Sequence, residues 1–275
     1  RFDEALEACR PAVFNGQPPW PLRARAAEIE AQRGNRDEAI RQMREAAADN
    51  PDWPRAWLRL ADWYEQAEQF PEYLDAAQNL VRIDPQRAVH WGYLADARRR
   101  QNDRPGSIEA FRKAFELDPA YLFGVGNLFD LHLEDGDTAA AQEVLTRAEP
   151  HIPRDTALEF HIRLDAAQGH LDPALDHLRE LCVEPGDTAR PLHFAIEALA
   201  ERGWHDEAER AMVQAMQSPD VNPDAGPAWV GLFANRMQFA ACIKRLNALR
   251  GRGELRVRAA VGLLSRLAAA KEPGR

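Results

Sequence analysis

Cysteine is scarce in this chain: Cys9, Cys182 and Cys242 lie far apart, odd in number and without a CxxC spacing. That excludes a disulfide framework and a cysteine-ligated structural zinc, and a reducing, cytoplasmic setting fits best. A periplasmic setting requires that an upstream signal has been removed. Lysine is scarcer than arginine, with only Lys113, Lys244 and Lys271 present, a bias common in GC-rich bacterial genomes. No run of eighteen apolar residues occurs, so nothing reads as a membrane span. The opening Arg1-Phe2-Asp3-Glu4-Ala5-Leu6 puts two acids where a signal peptide has a basic start. An initiator Met is also missing, and the expectation is an excised piece of a longer protein.

Catalytic signatures are lacking as well. There is no phosphate-cradling glycine loop, no GxSxG and no HExxH, and Gly124-Val125-Gly126 lacks a third glycine and a flanking strand. His161 and Asp165 form a one-turn pair, which reads as an exposed helix face before it reads as a metal site. The segment is therefore expected to be no enzyme and to carry no metal or small-molecule cofactor. A net charge of −9 disfavours nucleic acid, whose binding depends on neutralising phosphates. That charge is uneven. From Arg236 onward ten basic residues stand against Glu254 and Glu272, a tail of +8, which leaves −17 for the rest. The tail reads as a solvated basic face.

What the sequence does contain is a period. Pro51, Pro85, Pro119 and Pro153 are each 34 residues apart, and Trp57/Trp91, Leu60/Leu94/Leu128 and Ala27/Ala61/Ala95 recur in the same frame. Ala39-x-x-x-Met43-x-x-Ala46, Ser107-x-x-x-Phe111-x-x-Ala114 and Ala141-x-x-x-Leu145-x-x-Ala148 share one spacing. The physical reading is a helical hairpin. Alanines let two helices approach where they cross, glycines at 34, 136, 169 and 203 turn the chain between them, and proline ends the second helix.

These residues resemble the tetratricopeptide repeat family. The resemblance implies an all-α solenoid of antiparallel helix hairpins: a half repeat at 1–18, regular repeats at 20–53, 54–87, 88–121 and 122–154, degenerate ones at 155–187, 188–222 and 223–253, and a capping helix at 254–272. Trp57, Tyr64, Trp91 and Phe111 fall on consensus core positions. In such arrays the first helices line a concave groove that holds a protein or peptide. Some members grip a chaperone's terminal carboxylate there with lysine, arginine and asparagine. The matching places here hold Ala24, Glu28, Leu58 and Asp62, so that clamp is absent and the expected ligand charge is reversed.

The groove column itself recurs as Glu28, Asp62, Asp96 and Asp130, with Glu197 two units later. Stacked carboxylates repel unless something positive compensates, and a basic or amine-bearing peptide would do so. Local arginines offer the other compensation, because Arg25, Arg59, Arg99 and Arg100 lie one turn from Glu28, Asp62 and Asp96, while Asp130 has no such neighbour. Gly92 and Gly126 are 34 apart in mid-helix, where glycine costs about 1 kcal/mol, so either a close helix approach or room for a ligand is expected. Of the 22 aromatics, 13 lie between Trp53 and Phe129, which places a binding hot spot in the second to fourth repeats. The candidate peptide-binding residues are Glu28, Arg59, Asp62, Tyr93, Asp96, Arg100, Phe123, Asn127 and Asp130. A rival reading makes the chain the non-catalytic, substrate-recruiting array of a larger enzyme such as a glycosyl- or sulfotransferase. Oligomeric state is left open by the sequence.

Overall fold

The computed structural model describes residues 6, 7, 16, 18–226, 228 and 229. The half repeat at 1–18, most of 223–253, the cap at 254–272 and the basic tail after Arg236 lie largely or wholly outside them. Among the described residues are twelve α-helices and no strand. They run α1 (Trp20–Gln32), α2 (Arg36–Asp49), α3 (Pro54–Gln66), α4 (Phe70–Ile83), α5 (Ala88–Arg100), α6 (Arg104–Leu117), α7 (Leu122–Glu134), α8 (Thr138–Ala148), α9 (Arg154–Gln168), α10 (Leu171–Leu181), α11 (Ala189–Glu201) and α12 (His205–Ala215). The chain divides into two compact units, Arg1–Leu128 and Phe129–Arg275.

The punctuation follows from a few residues. Helices α2, α4 and α6 end at the residue before Asn50-Pro51, Asp84-Pro85 and Asp118-Pro119, where proline removes a donor and forces its predecessor out of helical geometry. Asp103 and Asp137 cap α6 and α8, accepting from the backbone N–H of Gly106 and Ala140 at 3.0 Å each. Between the two helices of each hairpin the chain passes through one left-handed residue: Gly34, Glu68, Asn102, Gly136, Gly169 and Gly203, all with φ between 57° and 86°. Glycine adopts that conformation freely, whereas Glu68 and Asn102 hold it against a steric cost of about 1–2 kcal/mol.

The second helices carry the core. At their three inward positions the order is small, large, small in Ala39-Met43-Ala46, Ser107-Phe111-Ala114, Ala141-Leu145-Ala148 and Ala208-Met212-Ala215, all buried. Helix α4 inverts the order to Tyr73-Ala77-Leu80, also buried. This triplet has two large residues where its sisters have one, and Tyr73 brings a polar hydroxyl inside. In the second unit Leu158, Ile162, Leu178, Leu192, Leu199 and Met212 belong to one continuous apolar cluster, each contributing about 1.5–3 kcal/mol on burial.

Two of the consensus aromatics are not core. Tyr64 and Phe111 are buried, but Trp57 and Trp91 are only half-buried. An indole has an N–H that needs a partner, and each donates it at 2.8 Å to the carbonyl of the preceding proline, Pro51 or Pro85. These tryptophans latch the turn between hairpins.

Candidate functional site

The first unit carries a cleft of about 330 Å³ bounded by Asp62 and Glu65 of α3, Tyr73 of α4, Val89, Tyr93, Asp96, Arg99 and Arg100 of α5, and Tyr121 and Phe123 at the start of α7. Five of the nine sequence candidates meet here: Asp62, Tyr93, Asp96, Arg100 and Phe123. Glu28, Arg59 and Asn127 lie in the same unit but do not line the cleft, and Asp130 belongs to the second unit.

Each column carboxylate has partners. Glu28 accepts from Arg25 at 3.0 Å and from Arg55 at 2.8 Å, with Arg59 at 3.8 Å. Asp62 accepts from the Tyr93 hydroxyl at 2.7 Å, while Arg59 stands 3.9 Å away. The buried Asp96 accepts from Arg99 at 2.7 Å and Tyr73 at 3.3 Å, with Arg100 at 3.5 Å. In the second unit Asp130 pairs with Arg163 of α9. The column is thus not an uncompensated row of negative charge, which removes the simplest argument for a basic ligand.

The pattern of partners changes along the first unit. Glu28 is bridged from the next repeat by Arg55 and Arg59, and Asp62 by Tyr93, which stands 34 residues after Arg59. One repeat further on, the corresponding residues are Phe123 and Asn127. Neither bridges to Asp96: Phe123 has no polar group, and the Asn127 amide donates to its own helix at the Phe123 carbonyl, 2.7 Å away. The zipper of side chains that closes the earlier steps is missing at this step. Phe123 is 44% exposed, and with Val89 and Leu122 it completes the exposed large hydrophobics among the described residues.

Burial and the neighbouring carboxylate push the hydroxyl pKa of Tyr73 well above its usual range, and burial with the bond to Asp62 does the same for Tyr93. Both hydroxyls remain donors at any physiological pH. Tyr121 is pushed up to about 12, mainly by burial.

Tyr73, Val89, Arg99, Tyr121 and Glu65 were not among the sequence candidates. The signal for Tyr73 is the inverted size order on α4, a large residue where sister helices hold Ala or Ser. The signal for Tyr121 is Gly92. A Cβ on Gly92 would lie 2.5 Å from the Tyr121 hydroxyl and 2.8 Å from its ring, so the glycine makes room for this side chain. We expect Gly92→Ala to give no net stabilisation in the native background, because the clash offsets alanine's helix propensity. In a Tyr121→Ala background the same change should stabilise by about 0.5–1 kcal/mol. Urea unfolding of the four proteins reads this difference, and equal effects in both backgrounds would refute the packing role.

The second unit holds a histidine cluster. His161 stacks on His177 at 4.8 Å and approaches Glu149 at 3.4 Å, while Asp165 accepts from His177 at 2.9 Å. The one-turn pair expected from sequence is therefore replaced by partners on other segments. Among the described residues no group of three or more His, Cys, Asp or Glu side chains could hold a metal ion, and no helix is long and apolar enough to cross a membrane.

Comparison with known proteins gives one family match: the tetratricopeptide repeat model covers residues 19–63. The general transcriptional corepressor ssn6 of Schizosaccharomyces pombe is 24% identical over 155 residues, which span 54% of this chain and 14% of that relative. Among solved structures, MamA aligns with a TM-score of 0.52 and 16% identity over 67% of this chain and 93% of its own. A tetratricopeptide repeat protein from Parabacteroides merdae aligns at 0.51 and 12% identity over 78% and 84%. At these identities the structural likeness concerns the fold alone.

Proposed function

This chain is a tetratricopeptide repeat protein, and we propose that the cleft of its first unit is where it holds another polypeptide. Tetratricopeptide repeats indicate a protein-interaction scaffold, so the question is where on this array a partner would bind. The observation that carries the reading is the missing bridge at Asp96. Where Arg55 bridges in the first repeat pair, the residues in its place are Val89 at the next step and Phe123 at this one, and both stay exposed beside three tyrosines. Apolar side chains rimmed by polar ones mark interaction surfaces, and aromatic rings give contact area with little loss of rotamer freedom.

The bound segment is read as basic or amine-bearing. With Arg99 and Arg100 already engaged, the cleft has one more carboxylate (Asp62, Glu65, Asp96) than guanidinium. Nucleic acid does not fit a site of this sign.

Peptide display against the whole chain, followed by anisotropy titration of the enriched peptides, tests the reading. Phe123→Ala is expected to weaken binding tenfold or more, as for a central aromatic contact, with the helical circular dichroism unchanged. Peptides that bind Phe123→Ala as tightly as the native chain would place the site elsewhere.

A further inference from the structure

We infer that the cleft is a pocket for a single lysine-type ammonium side chain, free or N-methylated, presented by the bound polypeptide. The inference rests on the reading of the cleft as a peptide site and adds which side chain fills it.

The walls are aromatic and mutually tilted. Tyr73 and Tyr93 meet edge to face, centroids 6.4 Å apart and planes at 86°, and Tyr121 and Phe123 are 6.1 Å apart at 46°. Ring faces attract cations through their quadrupole, more strongly when water is excluded. A planar guanidinium is best served by flat stacking on one ring or by a bidentate carboxylate. Rings set at steep angles suit a compact, roughly spherical cation that touches several of them at once. The tyrosine hydroxyls spend their protons on carboxylates, Tyr93 donating to Asp62 and Tyr73 to Asp96. That leaves the rings electron-rich.

The charge balance selects the sign. Asp96 is buried and already takes three donors, but Asp62 has a partly exposed carboxylate whose second oxygen has only Arg59, 3.9 Å away. A carboxylate offers about four acceptor positions, so Asp62 has capacity for an incoming ammonium. Glu65, which also lines the cleft, pairs with Arg100 through one oxygen at 2.8 Å. An acidic guest would instead meet three carboxylates, with both arginines already engaged. A volume of about 330 Å³ is at the small end of ligand pockets, enough for one long side chain and not for a folded element.

The experiment uses the whole chain and two sets of probes. The first set is the capped single residues acetyl-lysine, acetyl-trimethyllysine, acetyl-arginine, acetyl-norleucine and acetyl-glutamate methylamides, titrated while the tyrosine ring resonances are followed by NMR. Lysine or trimethyllysine should bind at least tenfold more tightly than norleucine, with arginine and glutamate weaker than lysine. Asp62→Asn should reduce the lysine affinity five- to tenfold and leave norleucine unchanged. Norleucine equal to lysine, or arginine tighter than lysine, overturns the inference. The second set is the display-selected peptides with their lysine replaced by norleucine. Peptides that require Phe123 but tolerate this replacement overturn the ammonium pocket while the peptide-binding reading stands; peptides indifferent to Phe123 overturn that reading itself.

Discussion

Phe111→Ala should cost the first unit about 3–5 kcal/mol, the range for emptying a fully buried phenylalanine site. Phe111 has no exposed surface and is the large member of the small-large-small column on α6, flanked by Ser107 and Ala114, which are equally buried. Its neighbours are too small to close the space. The ring also lies 5.9 Å from Phe123, so the cavity would open beneath the cleft. Repeat arrays lose stability through nearest-neighbour terms, so the damage should stay local. Native-state hydrogen exchange is expected to show α5 and α6 opening early, and urea unfolding a matching loss. Phe111→Leu, which keeps most of the volume, should cost under about 1.5 kcal/mol. A loss below about 1 kcal/mol for the alanine variant would mean that the hairpin collapses around the gap and that the column is not what fixes its packing.

The fold was legible because a hairpin repeated at a constant period writes its steric needs into fixed places. Alanines at helix crossings, prolines after the second helices and the inward triplets follow from backbone geometry alone. Where chemistry offers two solutions, the sequence was ambiguous. Glu68 and Asn102 occupy the left-handed turn position that glycine marks elsewhere, so the turn is invisible by composition at two of six hairpins. Trp57 and Trp91 read as core because they are large and periodic, but their indole N–H groups require an acceptor and hold them at the turns.

The candidate site was half legible for a related reason. The acidic column is visible as a spacing, whereas its compensation depends on reach. Arg55 lies 27 residues after Glu28 and Tyr93 lies 31 after Asp62, separations that no one-turn rule inspects. Counting by 34 from Asp130 leads to Leu164. The fourth repeat, 122–154, is one residue shorter, however, and puts Arg163 in the column, where it supplies the cation that Asp130 lacked in sequence. Tyr73 and Tyr121 were missed because each departs from the repeat consensus, and departures from a consensus are where the array has a particular surface to build.

The largest electrostatic effect is expected at that same arginine. Arg163→Ala should destabilise the second unit by about 3–5 kcal/mol, the cost of leaving a buried charge without its partner. The guanidinium bonds Glu159 at 2.9 Å and Asp130, and lies over the rings of Phe129 and Phe194 at 5.3 and 5.8 Å. Burial raises the Glu159 carboxyl from 4.5 to about 7; Arg163 opposes that rise and Asp130 adds to it. The sign of the pH dependence follows. Between pH 4.5 and 7 the folded protein holds a proton that the unfolded chain has lost, so Glu159 makes stability fall as pH rises through that window and leaves it level above. Removing Arg163 lifts the carboxyl pKa further, so the substitution should cost more at pH 8 than at pH 5. Glu159→Gln removes the ionisable group, and the double variant should cost less than Arg163→Ala alone and show little difference between the two pH values. Urea unfolding of the three variants and the native chain at both pH values decides the matter. An Arg163→Ala penalty independent of pH would mean that the arginine acts through its contacts with the two phenylalanine rings and not through the charge of Glu159.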